Sequence, residues 1–121
     1  MPRYVILEHD WPQRHWDFML DMGPVLQTWK LAEAPKPGTV IPAEKSFDHR
    51  LMYLDYEGPI SGERGSVTRW DAGRYELIVD DQGRRVLKLD GQRLQGIVEL
   101  KNDPAAGWLF SLQRKENRGH D

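Results

Sequence analysis

Residues 9–17, HDWPQRHWD, gather two of the chain's four histidines and two aspartates into one short stretch. Pro12 lies between the histidines and rules out a continuous helix from His9 to His15, because proline removes a donor and clashes in a helix interior. On an extended strand, residues i and i+2 share a face, so His15 and Asp17 can aim at one point above a sheet. His9 closes the set once the chain turns at Pro12. Two imidazoles and a carboxylate suit Mn²⁺, Zn²⁺ or Fe²⁺ and leave coordination positions open for a substrate oxygen or an activated water. The same residue types beside a turn are also common as plain solvated surface, so spacing alone leaves both readings standing.

A competing set takes His15 and Asp17 with His49 in place of His9, since H-x-D followed by a distant His is the facial triad of non-haem iron oxygenases. His120 lies in a polar tail, ENRGHD, that is expected to fray, and enters neither set.

These side chains need a scaffold, and the apolar pattern predicts sheet. Tyr4 to Leu7 reads as a strand, and HWDFMLD alternates, with His15, Asp17, Met19 and Asp21 on one face and Trp16, Phe18 and Leu20 on the other. Gly23-Pro24 breaks the chain, and VLQTWKL forms the returning strand of a hairpin. AEAPKPGTVIPAEK, with its prolines and glycine, reads as a loop with little regular structure. LMYLDYEGPI reads as a strand ending at Gly58-Pro59, and GSVTRWDAGRYELIV as two strands joined around Asp71-Ala72-Gly73. DDQG and Asp90-Gly91 punctuate the next strands, and QRLQGIVELK and GWLFSLQRK supply the last pair. Short strands joined by Gly and Asp turns predict a mainly β protein, a compact antiparallel β-barrel with little helix.

The length of 121 residues suits one domain, 1–121, with a core that needs no staples. The absence of cysteine excludes a disulfide scaffold, a cysteine nucleophile and a cysteine ligand, and fits an intracellular, cytoplasmic setting. No apolar run is long enough for a membrane span, and Met1-Pro2-Arg3-Tyr4 enters structure at once rather than reading as a signal peptide. A net charge of −2 gives no general pull on nucleic acid, so such a partner has to be met by a local basic patch.

LEHDWPQRHWDFMLD resembles the signature of the 3′-phosphoesterase domain of bacterial DNA ligase D, in which a strand ending in Glu-His is followed by a basic segment and then His-aromatic-Asp-aromatic-Arg-Leu-Glu. The likeness continues in order through VLQTWKL, DHRLMYLDYEGPI, GERGSVTRWDAGRYEL, LDGQRLQGIVELK and GWLFSL, nearly the whole chain. It implies a β-barrel with a Mn²⁺-dependent site (Zn²⁺ or another divalent ion also suits the ligand set) that trims the 3′ ends of DNA or of RNA-tipped primers. His9, His15 and Asp17 then correspond to the metal ligands. His49 corresponds to a phosphate-contacting catalytic histidine and Tyr53 to a tyrosine close by, while Arg14 falls in the basic segment. Other DNA-repair proteins would be natural partners, and no membrane is involved.

The sequence also departs from that pattern. The family's arginine two places after the aspartate is Met19 here, Arg50 is a candidate to compensate, and VIPAEKSFD lacks an arginine upstream of His49, leaving Lys45 as the nearest cation. The chain starts at the first strand, without the family's N-terminal arm, and reads as a free-standing member. A lost charge-assisted hydrogen bond to phosphate is worth about 1.5–3 kcal/mol, or roughly one to two decades of rate. A slow enzyme is expected, slowest on ends needing ribonucleoside removal and accelerated by Met19→Arg. A module that binds DNA ends without cleaving them is the non-enzymatic alternative. Trp16, Phe18, Trp29 and Trp70 read as core rather than base-stacking platforms. Arg64, Arg69, Arg74, Arg84, Arg85 and Arg93 read as solvated, and Glu8 as a group that orients a ligand histidine.

Overall fold

The computed structural model describes residues 1–114, so His120 and the whole ENRGHD tail lie outside the described residues. The described chain is nearly all antiparallel sheet, 61% strand and 4% helix. Its strands are β1 (Arg3–His9), β2 (His15–Asp21), β3 (Leu26–Leu31), β4 (Val40–Lys45), β5 (Gly58–Pro59), β6 (Ser66–Asp81), β7 (Arg84–Gly91), β8 (Gln95–Asp103) and β9 (Gly107–Arg114). They pair in the order β1-β2-β3-β4-β9-β8-β7-β6, and a β1–β6 pairing joins the two ends. The result is a closed ring of eight strands; β5 adds only to the start of β6. Among the described residues no helix is long and apolar enough to cross a membrane.

Alternation sorts the side chains into two apolar groups. Tyr4, Ile6, Phe18, Leu20, Trp29 and Leu31 fill one cluster together with inward residues of β4 and β7–β9. Trp16 and Trp70 pack against it, so the tryptophans read as core do serve the core. The opposite face of β1–β3 carries Val5, Leu7, Met19 and Leu26, and these meet Leu54 and Val67 in a second cluster. That second face is covered by residues 46–65, the excursion between β4 and β6, with Tyr53, Tyr56 and Ile60 packed over it. Burying each such large apolar side chain contributes about 1.5–3 kcal/mol. The first three strands are therefore sandwiched, and the histidines lie on the covered outer face.

Three expectations are corrected. Residues 40–45 are a strand rather than loop, because Val40–Ala43 pair with Ser111–Trp108 and Ala43–Lys45 with Leu31–Trp29. Ile41 supplies a fully buried side chain, and a partner distant in sequence overrides the local proline signal. The segment 51–60 is not a strand; Leu51–Leu54 form a 3-10 turn, and only Gly58–Pro59 pair. Leu54 is the buried residue of that turn, and it plugs the covered face instead of extending a sheet.

Finally, 66–81 is one strand. Its first half pairs with β1 and its second with β7, the handover falling at Gly73. A bulge between Arg69 and Asp71, opposite Ile6 and Leu7, bends its first half. Gly73 is a packing requirement and not a turn, since a Cβ would lie 2.2 Å from the Asp90 carbonyl oxygen.

Candidate metal centre

The β1–β2 hairpin sets the site. His9 and His15 are directly opposite in the register, and Asp17 follows His15 by two residues on the same face. One ligand atom from each of the three lies within 4.8 Å of the others. The connecting residues are pinned to β6, where the Ser66 amide donates to Asp10 Oδ1 at 2.8 Å and the Asp10 amide to the Ser66 carbonyl at 3.3 Å. Gly65 makes this docking possible. Its φ is +73°, and a Cβ there would lie 2.2 Å from Asp10 Oδ1.

The hydrogen bonds fix which ring nitrogens face inward. His9 Nε2 is 2.8 Å from the Arg64 carbonyl and His15 Nδ1 is 2.9 Å from the Gln13 carbonyl. A carbonyl can only accept, so these nitrogens carry the protons. His9 Nδ1 and His15 Nε2 are left with lone pairs, 3.7 and 3.2 Å from the Asp17 carboxylate. Metal-ligating histidines characteristically donate their other N–H in this way. Asp17 is 4% exposed. Its Oδ1 has no hydrogen-bond partner, since the His15 Nε2 that faces it at 3.2 Å presents a lone pair. A buried carboxylate oxygen without a donor is costly, and a cation among these three groups would satisfy it. The residues present fit a divalent metal.

The electrostatics follow from the same contacts. Asp17 beside them raises the pKa of both His9 and His15, against their burial. Burial pulls the Asp17 carboxyl upward, but His15 and His9 outweigh it and hold it below its ordinary value.

A cavity of about 310 Å³ opens over this cluster, and His49, Arg50 and Tyr53 line it as the sequence predicts. His49 is bridged to Leu26 by two backbone hydrogen bonds of 2.8 and 2.9 Å. Its Nδ1 donates to Thr28 Oγ1 at 2.9 Å and to the Phe47 carbonyl at 3.0 Å, leaving Nε2 as the free ring nitrogen. Burial lowers the pKa of His49. Tyr53 meets its ring edge-on, centroids 5.7 Å apart. His49 is not a member of the converged ligand set, which among the described residues is His9, His15 and Asp17. The oxygenase-type set of His15, Asp17 and His49 is therefore not the one the fold assembles.

Other expectations need correcting. Arg14 does not line this cavity. It pairs with Glu8, which alternates with His9 and so points to the other face of β1. Glu8 is thus engaged by Arg14 rather than orienting a ligand. Lys45 is also elsewhere, over the Trp29 ring. The cations that do line the cavity are Lys30, Arg50 and Arg64. Lys30 is directly opposite Asp17, a position readable by counting outward equally from Gly23-Pro24. Met19 lines the floor, as alternation requires, but is 1% exposed and packed in the outer apolar cluster. Trp11 and Phe47, which the sequence reading passed over, complete the walls.

The pattern that defines the DNA Ligase D 3′-phosphoesterase domain matches residues 7–102. The chain belongs to that family. Residues 7–102 hold His9, His15 and Asp17 together with His49 and Tyr53. Among relatives of this 3′-phosphoesterase family, the multifunctional non-homologous end joining protein LigD of Pseudomonas aeruginosa is 32% identical over 104 residues, 78% of this chain and 12% of that protein. The Mycobacterium bovis protein of the same name is 35% identical over 115 residues, 88% of this chain and 15% of that protein. A Mycobacterium tuberculosis relative, the multifunctional non-homologous end joining DNA repair protein LigD, matches over the same extent. The chain therefore spans between 12% and 15% of the length of these relatives.

Proposed function

We propose that this chain is a metal-dependent 3′-end-healing phosphoesterase that removes phosphate from DNA 3′ ends in end-joining repair, with Mn²⁺ as the working ion. One observation carries the reading: the buried, unsatisfied Asp17 carboxylate faces two imidazoles whose outer nitrogens are committed to backbone carbonyls. Family membership supplies the reaction class.

His9, His15 and Asp17 would hold the metal, which supplies charge neutralisation and a water of lowered pKa when bound. A terminal phosphate monoester carries about −1.5 to −2 charge at pH 7. Lys30, Arg50 and Arg64, around the same cavity, share its neutralisation. The burial that lowers its pKa keeps His49 uncharged in the resting site. Phosphate charge beside it favours the protonated form, and a proton on Nε2 is then available to the leaving 3′ oxygen. Thr28 and the Phe47 carbonyl fix the ring through Nδ1 during that transfer.

The test is release of inorganic phosphate from a primer-template ending in 3′-phosphate, with Mn²⁺ added, leaving a 3′-hydroxyl end. Binding of that primer without turnover under any divalent ion would instead support a non-catalytic end-binding module. His49→Ala is expected to lower turnover by about 10²–10⁴-fold, the range of a positioned acid or base. It should leave metal affinity unchanged by calorimetric titration. Loss of metal in His49→Ala with retention in His9→Ala would reverse the ligand assignment.

A further inference from the structure

Phe47 is 72% exposed and Trp11 is 43% exposed, and both line the cavity that holds His9, His15, Asp17 and His49. Phe47 contributes to neither apolar cluster, so folding does not account for it. Its ring stacks on His49, centroids 4.5 Å apart and planes inclined by 13°. One face of the phenyl ring is thus held against the histidine, and the exposure leaves the other in water.

We infer that Phe47 is a stacking platform for the base of the 3′-terminal nucleotide, so that the site takes an end whose last base is unstacked from its neighbour. This rests on the phosphoesterase reading above. The charge of the surroundings selects the occupant. Lys30, Arg50 and Arg64 line the same cavity, and cations interleaved with an exposed aromatic ring are the chemistry that holds a single-stranded nucleic-acid end. A phosphate beside His49 brings its own nucleoside next to the ring stacked on that histidine. Stacking is tolerant of base identity because every base has a π-face. No sequence preference is expected, only a preference for a base over none.

The experiment compares 5′-fluorescein-labelled oligonucleotides ending in a 3′-phosphorylated thymidine or a 3′-phosphorylated abasic residue. Binding is read by anisotropy without added metal, and turnover is read separately with Mn²⁺. Wild type is expected to bind the base-bearing end about 5- to 100-fold more tightly. Phe47→Ala should erase that ratio and Phe47→Trp should keep it. Phe47→Leu, which retains apolar packing against His49 without a π-face, should behave as Phe47→Ala. A mismatched terminal nucleotide should show a lower KM than a paired one. A ratio near one in wild type, or a ratio untouched by Phe47→Ala, would overturn the inference. Base-dependent binding without turnover would leave stacking standing and remove the phosphoesterase reading instead.

Discussion

Asp17→Ala should abolish Mn²⁺-dependent phosphate release and reduce metal affinity by more than 100-fold. Changing a group that merely orients a ligand typically costs 10–100-fold in affinity, and Asp17 is itself a ligand candidate and the anionic member of the set. Its removal leaves two neutral imidazoles, with less charge to offset a dication. The fold should survive, because Asp17 Oδ1 forms no hydrogen bond that the sheet depends on. The flanking Phe18 and Trp16 face the other apolar cluster and are untouched. Asp17→Asn separates charge from shape: it keeps the volume and should lose nearly as much affinity as Asp17→Ala. Calorimetric titration with Mn²⁺ and a phosphate-release assay on the same preparations check both. Zn²⁺ generally binds such a set more tightly than Mn²⁺, so the protein must be stripped and reloaded first. Turnover that survives Asp17→Ala would mean that the chemistry happens elsewhere.

The parts of this site that could be read from the sequence are those fixed by local periodicity. Strand alternation places His15, Asp17 and Met19 on one face, and the pairing of β1 with β2 bears that out. The two clusters add what periodicity cannot give, which is that both faces of β1–β3 are buried. Arg14 shows the limit of judging by closeness in sequence. It adjoins His15, yet the loop turns it to Glu8 on the opposite face. Lys30 shows the converse, being thirteen residues from Asp17 in sequence and opposite it in the sheet. β4 and the undivided β6 were hidden because a partner of each, β9 for the one and β1 for the other, is distant in the chain. No local signal announces a strand that exists because a remote edge needs pairing.

Met19, at the position where the resemblance implies an arginine, also looks different in three dimensions. Met19 belongs to an apolar cluster with Val5, Leu7, Leu26, Leu54 and Val67, so a guanidinium there would start from dry surroundings. Lys30, Arg50 and Arg64 reach the cavity from β3, the covering segment and the loop before β6. On the proposed reading, phosphate neutralisation would be distributed over residues that a motif centred on Asp17 does not contain.

Asp71→Ala is expected to cost about 3–5 kcal/mol of stability, the largest single effect on the fold outside the apolar core. Asp71 is 2% exposed at the bulge of β6. It accepts from the Tyr4 hydroxyl at 2.5 Å and from the amides of Arg93 and Leu94 at 2.7 and 3.2 Å. Hydrogen bonds to a charged group contribute about 1.5–3 kcal/mol each, and donors stranded in the interior carry a further penalty. Burial and Asp71 together push the Tyr4 pKa far upward, so the hydroxyl stays protonated and needs its acceptor. Gly91 packs against the same group, where a Cβ would lie 1.9 Å from the Tyr4 oxygen, leaving no room for another side chain to substitute. For a chain of this size the loss corresponds to a Tm lower by about 10–20 °C. Asp71→Asn should lose less, since an amide oxygen still accepts. The bulge separates this network from the pairing of His9 with Val67, so at low temperature the folded variant should bind one Mn²⁺ as wild type does. Thermal unfolding followed by tryptophan fluorescence, with metal titration at 15 °C, reads both. A loss under about 1 kcal/mol would show that the ring closes without this buried carboxylate, and that the bulge, not its hydrogen bonds, joins β6 to both of its neighbours.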